Sequence, residues 1–188
     1  STTNTHVSQQ SIPSCNFAAT ATGGTDCGVD GADLARTWCV WIKTADITSK
    51  TLFSKGTTIS SDAREYICFF DSSDKLTFRI YDDLCRGADN YIQQLADSAS
   101  TSDIQDGEWH QVIIIYAGTA VHGGITMYID GALVTSTGSE VNTYGFTTVQ
   151  SNPLIFGKDT MASGGGTLGG NFGLGSMAHM AMWDTNIS

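Results

Sequence analysis

The sequence predicts an all-β fold, with two antiparallel sheets packed face to face as a sandwich or jelly roll. Short apolar segments recur at roughly 8–12-residue spacing with turn residues between them, as in sandwiches and not in βαβ units. Residues 106–133 give the sharpest instance: Val112 to Tyr116 is a continuous β-branched run, Ile125, Met127 and Ile129 alternate with polar neighbours, and Asp106-Gly107 and Asp130-Gly131 are turn dipeptides. Glycine is abundant at 21 and proline scarce at 2, which suits many strands joined by tight turns, and no segment of useful length carries a helical period.

Taken in order, residues 1–11 are polar and patternless and are expected to form an extended arm, disordered in the free protein. A first strand is expected near Cys15–Ala21, followed by the Gly- and Asp-rich loop 23–33. Thr37 to Thr44 is a strand with Trp38, Val40 and Ile42 on one face, and Leu52-Phe53 lead into a turn at Lys55-Gly56. Arg64–Phe70 and Lys75–Tyr81 are strands joined at Asp71–Asp74, and Asp89–Leu95 is a weaker one. After the strands of 106–133, Leu133–Thr137 completes the Asp130-Gly131 hairpin. Pro153–Gly157 is a strand, 162–171 a Gly-rich loop, and Met177–Trp183 the closing strand. The expected core is Trp38, Val40, Ile42, Leu76, Phe78, Ile80, Trp109, Val112, Ile114, Met127, Ile129 and Phe156.

The 188 residues fit one domain, expected over 12–188 behind the arm. The formal net charge of −10 repels phosphate backbones and argues against a nucleic-acid partner. There is no apolar run long enough to span a membrane as a helix. The opening STTNTHVSQQ lacks the basic start and apolar centre of a signal peptide, so a chain made in the cytoplasm and carried on a virion or particle surface is expected, with an extracellular mature chain the alternative. The 5 cysteines match no metal spacing; buried reduced thiols are expected, and a Cys15–Cys27 bridge stays open.

Several segments, in order, resemble one family. Gly107, Trp109, His110 and Val112, followed by Tyr128, Asp130 and Gly131, are similar to a Gly-x-Trp-His-x-Val strand and a strand ending Tyr-x-Asp-Gly in the laminin-G-like and pentraxin-like domains of the concanavalin A-like superfamily. Trp41-Ile42-Lys43, Leu52 to Gly56, Leu154 to Gly157, and Phe172-Gly173 through Trp183 to Ile187-Ser188 resemble further pieces of it, covering about residues 28–188. The resemblance implies a concanavalin A-like jelly roll that closes with Cys15–Ala21 beside Met177–Trp183, and it makes His110 structural. It also implies that the chain ends where the domain closes. The family's closing strand usually carries Asp-Glu, whereas Met177 to Met182 holds no carboxylate, which weakens the case for the family's calcium.

Chemistry in the sequence favours recognition over catalysis. Glycosidases on this fold carry paired carboxylates on one strand face, whereas the only glutamates, Glu65, Glu108 and Glu140, lie far apart. No metal centre is firm; calcium is a candidate cofactor, with Asp30 and Asp33 as ligands, although calcium takes six to eight oxygens. For surface glycans the candidate contacts are Asp89, Asn90 and Tyr91, and Asn142, Tyr144 and Phe146. For other protein chains of an assembly the candidates are Val112, Ile114, Met180 and Met182, on strands that look apolar in both phases. The leading expectation is a non-enzymatic particle-surface protein, a viral capsid decoration or tail component docking through its arm and these faces. A lectin-like module is second and a glycosidase or lyase third.

Overall fold

A computed structural model describes residues 7–9, 33–56, 64–82, 90–97, 99–142, 144–145, 147, 153–159 and 175–185. Within them the chain forms β1 (Val7–Gln9), β2 (Arg36–Lys43), β3 (Thr51–Gly56), β4 (Arg64–Phe70), β5 (Leu76–Tyr81) and β6 (Tyr91–Ala96). It continues with β7 (Trp109–Tyr116), β8 (Ile125–Ile129), β9 (Ala132–Leu133), β10 (Ser136–Val141), β11 (Leu154–Phe156) and β12 (Ser176–Trp183). A seven-stranded sheet runs β1-β11-β3-β4-β5-β6-β10 and a five-stranded sheet runs β12-β2-β7-β8-β9, with every pairing antiparallel. The expected all-β sandwich is therefore present. The helical pieces among the described residues are short 3-10 turns at Ala99–Gln105 and His122–Gly124.

Alternation places the core. Trp38, Val40 and Ile42 of β2 point inward with Val112, Ile114 and Met127, and meet Phe53, Tyr66, Cys68, Leu76, Phe78 and Ile80 of the other sheet. The Trp38 ring lies 5.0 Å from Phe78, 5.1 Å from Tyr66 and 6.0 Å from Phe53, within the range of favourable ring pairs. On the opposite face of the seven-stranded sheet, Ile67, Phe69 and Tyr81 form a second, smaller cluster with Tyr91 packed against it. At Asp130-Gly131 both residues take positive φ, 52° and 77°, as a two-residue hairpin with the twist of its strands requires.

Several expectations are corrected. Trp109 is 42% exposed: it occupies the solvent phase of β7, where Gln111 and Ile113 follow it, and Val112 and Ile114 occupy the other. Those two are 1% and 0% exposed, so they are core residues and not contacts for another chain. Met180 and Met182 are half-buried and pack against the core with Met177. A bulge makes this possible, because the six residues from Met177 to Met182 pair across the five from Ile42 to Trp38. The extra residue moves the methionines onto the core face, leaving Ala178 and Ala181 on the other. β3 runs straight through Lys55-Gly56, read as a turn, because a fully buried Lys55–Glu65 ion pair holds the lysine inside.

Ser136–Val141 also departs from expectation. Having left the hairpin after β9, the chain crosses to pair with β6, so β10 extends the seven-stranded sheet. Val7–Gln9, within the expected arm, pairs with Leu154–Phe156 of the same chain. An edge strand offers unpaired backbone groups, and pairing with them needs no apolar side chain. The expected strand at Cys15–Ala21, the Cys15–Cys27 bridge and the loop 162–171 lie outside the described residues.

Candidate functional site

The outer face of the five-stranded sheet carries an aromatic groove. Trp41 stands opposite Gln111 in β7 and Ala178 in β12, while Trp109 stands opposite Lys43, two residues along both strands. The same alternation that sends Trp38, Val40 and Ile42 inward sends Trp41 outward, and diagonal neighbours on one sheet face are within reach of large side chains. Trp41, Trp109, Ala178 and His179 line a groove of about 580 Å³. His179, in the β12 bulge, has φ 47° and is exposed at its wall. Lys43 and Glu108 lie at the Trp109 end, 3.8 Å apart and both well exposed. The groove thus joins two indole surfaces to charged and polar groups, a composition common in small-molecule sites. Sequence reasoning missed it because Trp109 sits in a strand that reads as core, and because the bulge that sets His179 on the wall leaves no signature in the residues.

The hinge of Trp109 is its neighbour His110, 13% exposed in its side chain. Its Nδ1 lies 2.7 Å from Asp130 Oδ2 and its Nε2 lies 3.0 Å from Asp106 Oδ1. Asp130 also accepts the Gln111 N–H at 2.7 Å, and Asp106 the Glu108 N–H at 2.7 Å. Burial disfavours the imidazolium, but the two carboxylates outweigh it and raise the His110 pKa above the usual histidine value. The same bond holds the Asp106 carboxyl below the usual carboxylate range. The arrangement ties two turns to the start of β7.

Asp33, offered as a calcium ligand, is buried and already saturated. Its Oδ2 accepts the Tyr116 hydroxyl and, at 2.6 Å, the Tyr144 hydroxyl, while its Oδ1 accepts the Thr147 N–H at 2.8 Å. A carboxylate held by three donors has little left for a cation. No group of three or more His, Cys, Asp or Glu with metal-binding geometry occurs among the described residues. Burial first, then the Asp33 charge, pushes both tyrosine pKa values far up, so these hydroxyls remain donors. Gly118, with φ 73°, brings its loop against the same residue: an added Cβ would stand 2.7 Å from the Asp33 carbonyl oxygen.

This corrects the glycan candidates. Tyr144 is 7% exposed and spends its hydroxyl on Asp33, and Asn90 is 4% exposed. Tyr91 is half-buried, its ring 5.3 Å from Tyr81 and 4.6 Å from the Arg79 guanidinium. Asn142 is exposed with φ 57°. Asp89, Phe146 and Asp30 lie outside the described residues. The glutamates are engaged separately: Glu65 with Lys55, Glu108 with Lys43, and Glu140 with the Tyr144 N–H at 2.9 Å. Cys39 and Cys68 are free thiols, their pKa values raised by burial, as expected of small hydrophobes.

Human pentraxin-4 is 27% identical over 154 residues, covering 80% of this chain, but the chain spans only 28% of that protein. Among solved structures, mouse laminin alpha1 chain domains LG4-5 superpose with a TM-score of 0.54 at 16% identity, covering 82% of this chain and 37% of that one. The CBM40 domain of Ruminococcus gnavus IT-sialidase, bound to alpha2,3 sialyllactose, superposes with a TM-score of 0.55 at 11% identity, covering 98% and 94%. These structural likenesses speak for the fold. No helix among the described residues is long and apolar enough to cross a membrane. With residues 20–188 matching its laminin-G-type model, the chain belongs to the concanavalin A-like lectin/glucanases superfamily.

Proposed function

We propose that this chain is a non-catalytic glycan-binding module whose sugar platform is the Trp41–Trp109 groove. The observation that carries the reading is that two tryptophans from different strands line one groove on the outer face of the five-stranded sheet. Indole faces stack against the C–H faces of pyranose rings, and His179, Lys43 and Gln111 offer hydrogen bonds to the hydroxyls. The groove's volume of about 580 Å³ suits one or two sugar units. The sialyllactose-bound neighbour supports the reading at the level of fold. The test is a glycan array followed by titration. Binding that is lost in Trp41→Ala and Trp109→Ala, while the variants keep their fold, supports the groove; binding untouched by both removes it.

A second reading keeps the particle surface as the setting, virion or otherwise, with another protein chain on the same sheet. It draws on Trp183, 39% exposed, and Leu133, 66% exposed, at its two edge strands. Under that reading Trp183→Asp abolishes incorporation into the assembly and leaves glycan binding intact.

A further inference from the structure

The opposite face of the sandwich holds a cation whose terminal nitrogens meet no acceptor among the described residues. One row of register partners crosses the outer face of the seven-stranded sheet: Ile155, Ser54, Ile67, Arg79, Gln93 and Ser139. Arg79 sits in the middle of it, half-buried. Its guanidinium lies 5.3 Å from the Phe69 ring centroid and 4.6 Å from that of Tyr91. Its Nε donates to Gln93 Oε1 at 2.7 Å, and Gln93 Nε2 donates on to Ser139 Oγ at 2.9 Å. The side chain is therefore fixed in direction, by two rings and a relay of amides and hydroxyls. Its two terminal nitrogens have no acceptor among the described residues, and no carboxylate pairs with it there.

In a chain of net charge −10, Arg79 has no carboxylate partner among the described residues. Arg64, by contrast, donates to Asp159 at 3.0 Å, and Lys55 to Glu65. Desolvating a guanidinium without a counter-charge costs free energy, and an incoming anion recovers it. The terminal edge of a guanidinium is a planar two-donor fork that matches a carboxylate. We propose that Arg79 is a second ligand site, separate from the tryptophan groove, that takes the carboxylate of an acidic sugar. Ser139 lies along the same row to meet a ring hydroxyl, with Gln93 holding it and Arg79 in place, and the negative field of the protein disfavours more highly charged anions such as phosphate. This site stands or falls independently of the groove.

The experiment is an NMR titration of the whole chain with methyl β-D-glucuronide, with methyl β-D-glucoside, acetate and inorganic phosphate as comparisons. The glucuronide is expected to bind saturably and to shift Tyr91, Gln93 and Ser139. Acetate should shift the same residues more weakly, and the glucoside should not. Arg79→Gln should weaken glucuronide binding roughly tenfold or more, the worth of one charged hydrogen-bonded contact. Arg79→Lys should not restore it, since a point charge lacks the fork. Should Arg79→Gln unfold, Gln93→Glu is the second variant: it preserves the bond to Nε, supplies an internal carboxylate, and should abolish binding. Glucuronide shifts confined to the Trp41 and Trp109 indoles, equal binding of the neutral glucoside, tighter binding of phosphate, or undiminished affinity in both variants would each overturn the proposal.

Discussion

The Tyr144 hydroxyl donates to the Asp33 carboxylate across 2.6 Å, joining residues 111 apart in the chain. With Tyr116 and the Thr147 N–H on the same carboxylate, this knot ties the entry to β2, the end of β7 and the segment beyond β10. Asp33→Ala removes the charged acceptor shared by these buried donors and should cost about 3 kcal/mol in a urea titration. Tyr144→Phe removes the hydroxyl's bonds to Asp33 and to Thr147 Oγ1 and should cost about 1–2 kcal/mol. A near-neutral Asp33→Ala would mean that the knot is not needed for stability.

Trp38→Ala empties the centre of the core, where that ring is 0% exposed, and should cost about 3–5 kcal/mol. Trp109→Ala should cost about 1 kcal/mol or less, because the ring is 42% exposed, yet it should weaken glycan binding strongly. The pair of variants separates folding from recognition when denaturation and glycan titration are run side by side.

His110 gives a pH dependence with a definite sign. Its folded pKa is raised above the unfolded value near 6.5, so its contribution is complete below that pH and is lost as pH climbs through the folded pKa. The melting temperature of the wild type should therefore fall more from pH 6 to 8 than that of His110→Gln. Parallel curves for the two proteins would show that the clamp carries no proton linkage.

Breaking the buried Lys55–Glu65 pair is predicted to be costly. Both side chains are 0% exposed, so Lys55→Met removes the cation paired with the Glu65 carboxylate inside the protein. The expected loss is about 3–5 kcal/mol by chemical denaturation.

Period-2 alternation and turn dipeptides were enough to find β2, β4, β5, β8, β11 and β12, since there one face is buried and the residues say so. They could not find β10, whose Ser136–Val141 is polar and earns its place through six register pairs with β6. They misplaced Trp109 because a tryptophan's size argues for burial whichever phase it occupies. They read the closing strand as apolar on both faces because a bulge changes phase without changing composition. At the site level, Asp33 was noticed for its charge, but its role depends on two tyrosines remote in sequence. Arg79 passed unremarked, since only the register reveals that it faces Gln93 and not an acid.

The pairing of β2 has a consequence for how the chain acquires its shape during synthesis. Its two partners are β7 and β12, and β12 ends at Trp183, so the five-stranded sheet cannot be completed until residue 183 has emerged, long after Lys43 ends β2. β1 likewise waits for β11. Early strands must remain unpaired on one side for much of translation, and closing such distant contacts is slow. The rate of folding should therefore be governed by the last strand to arrive, and a truncation before Ser176 should leave the inner surface of Trp38 and Ile42 without its cover.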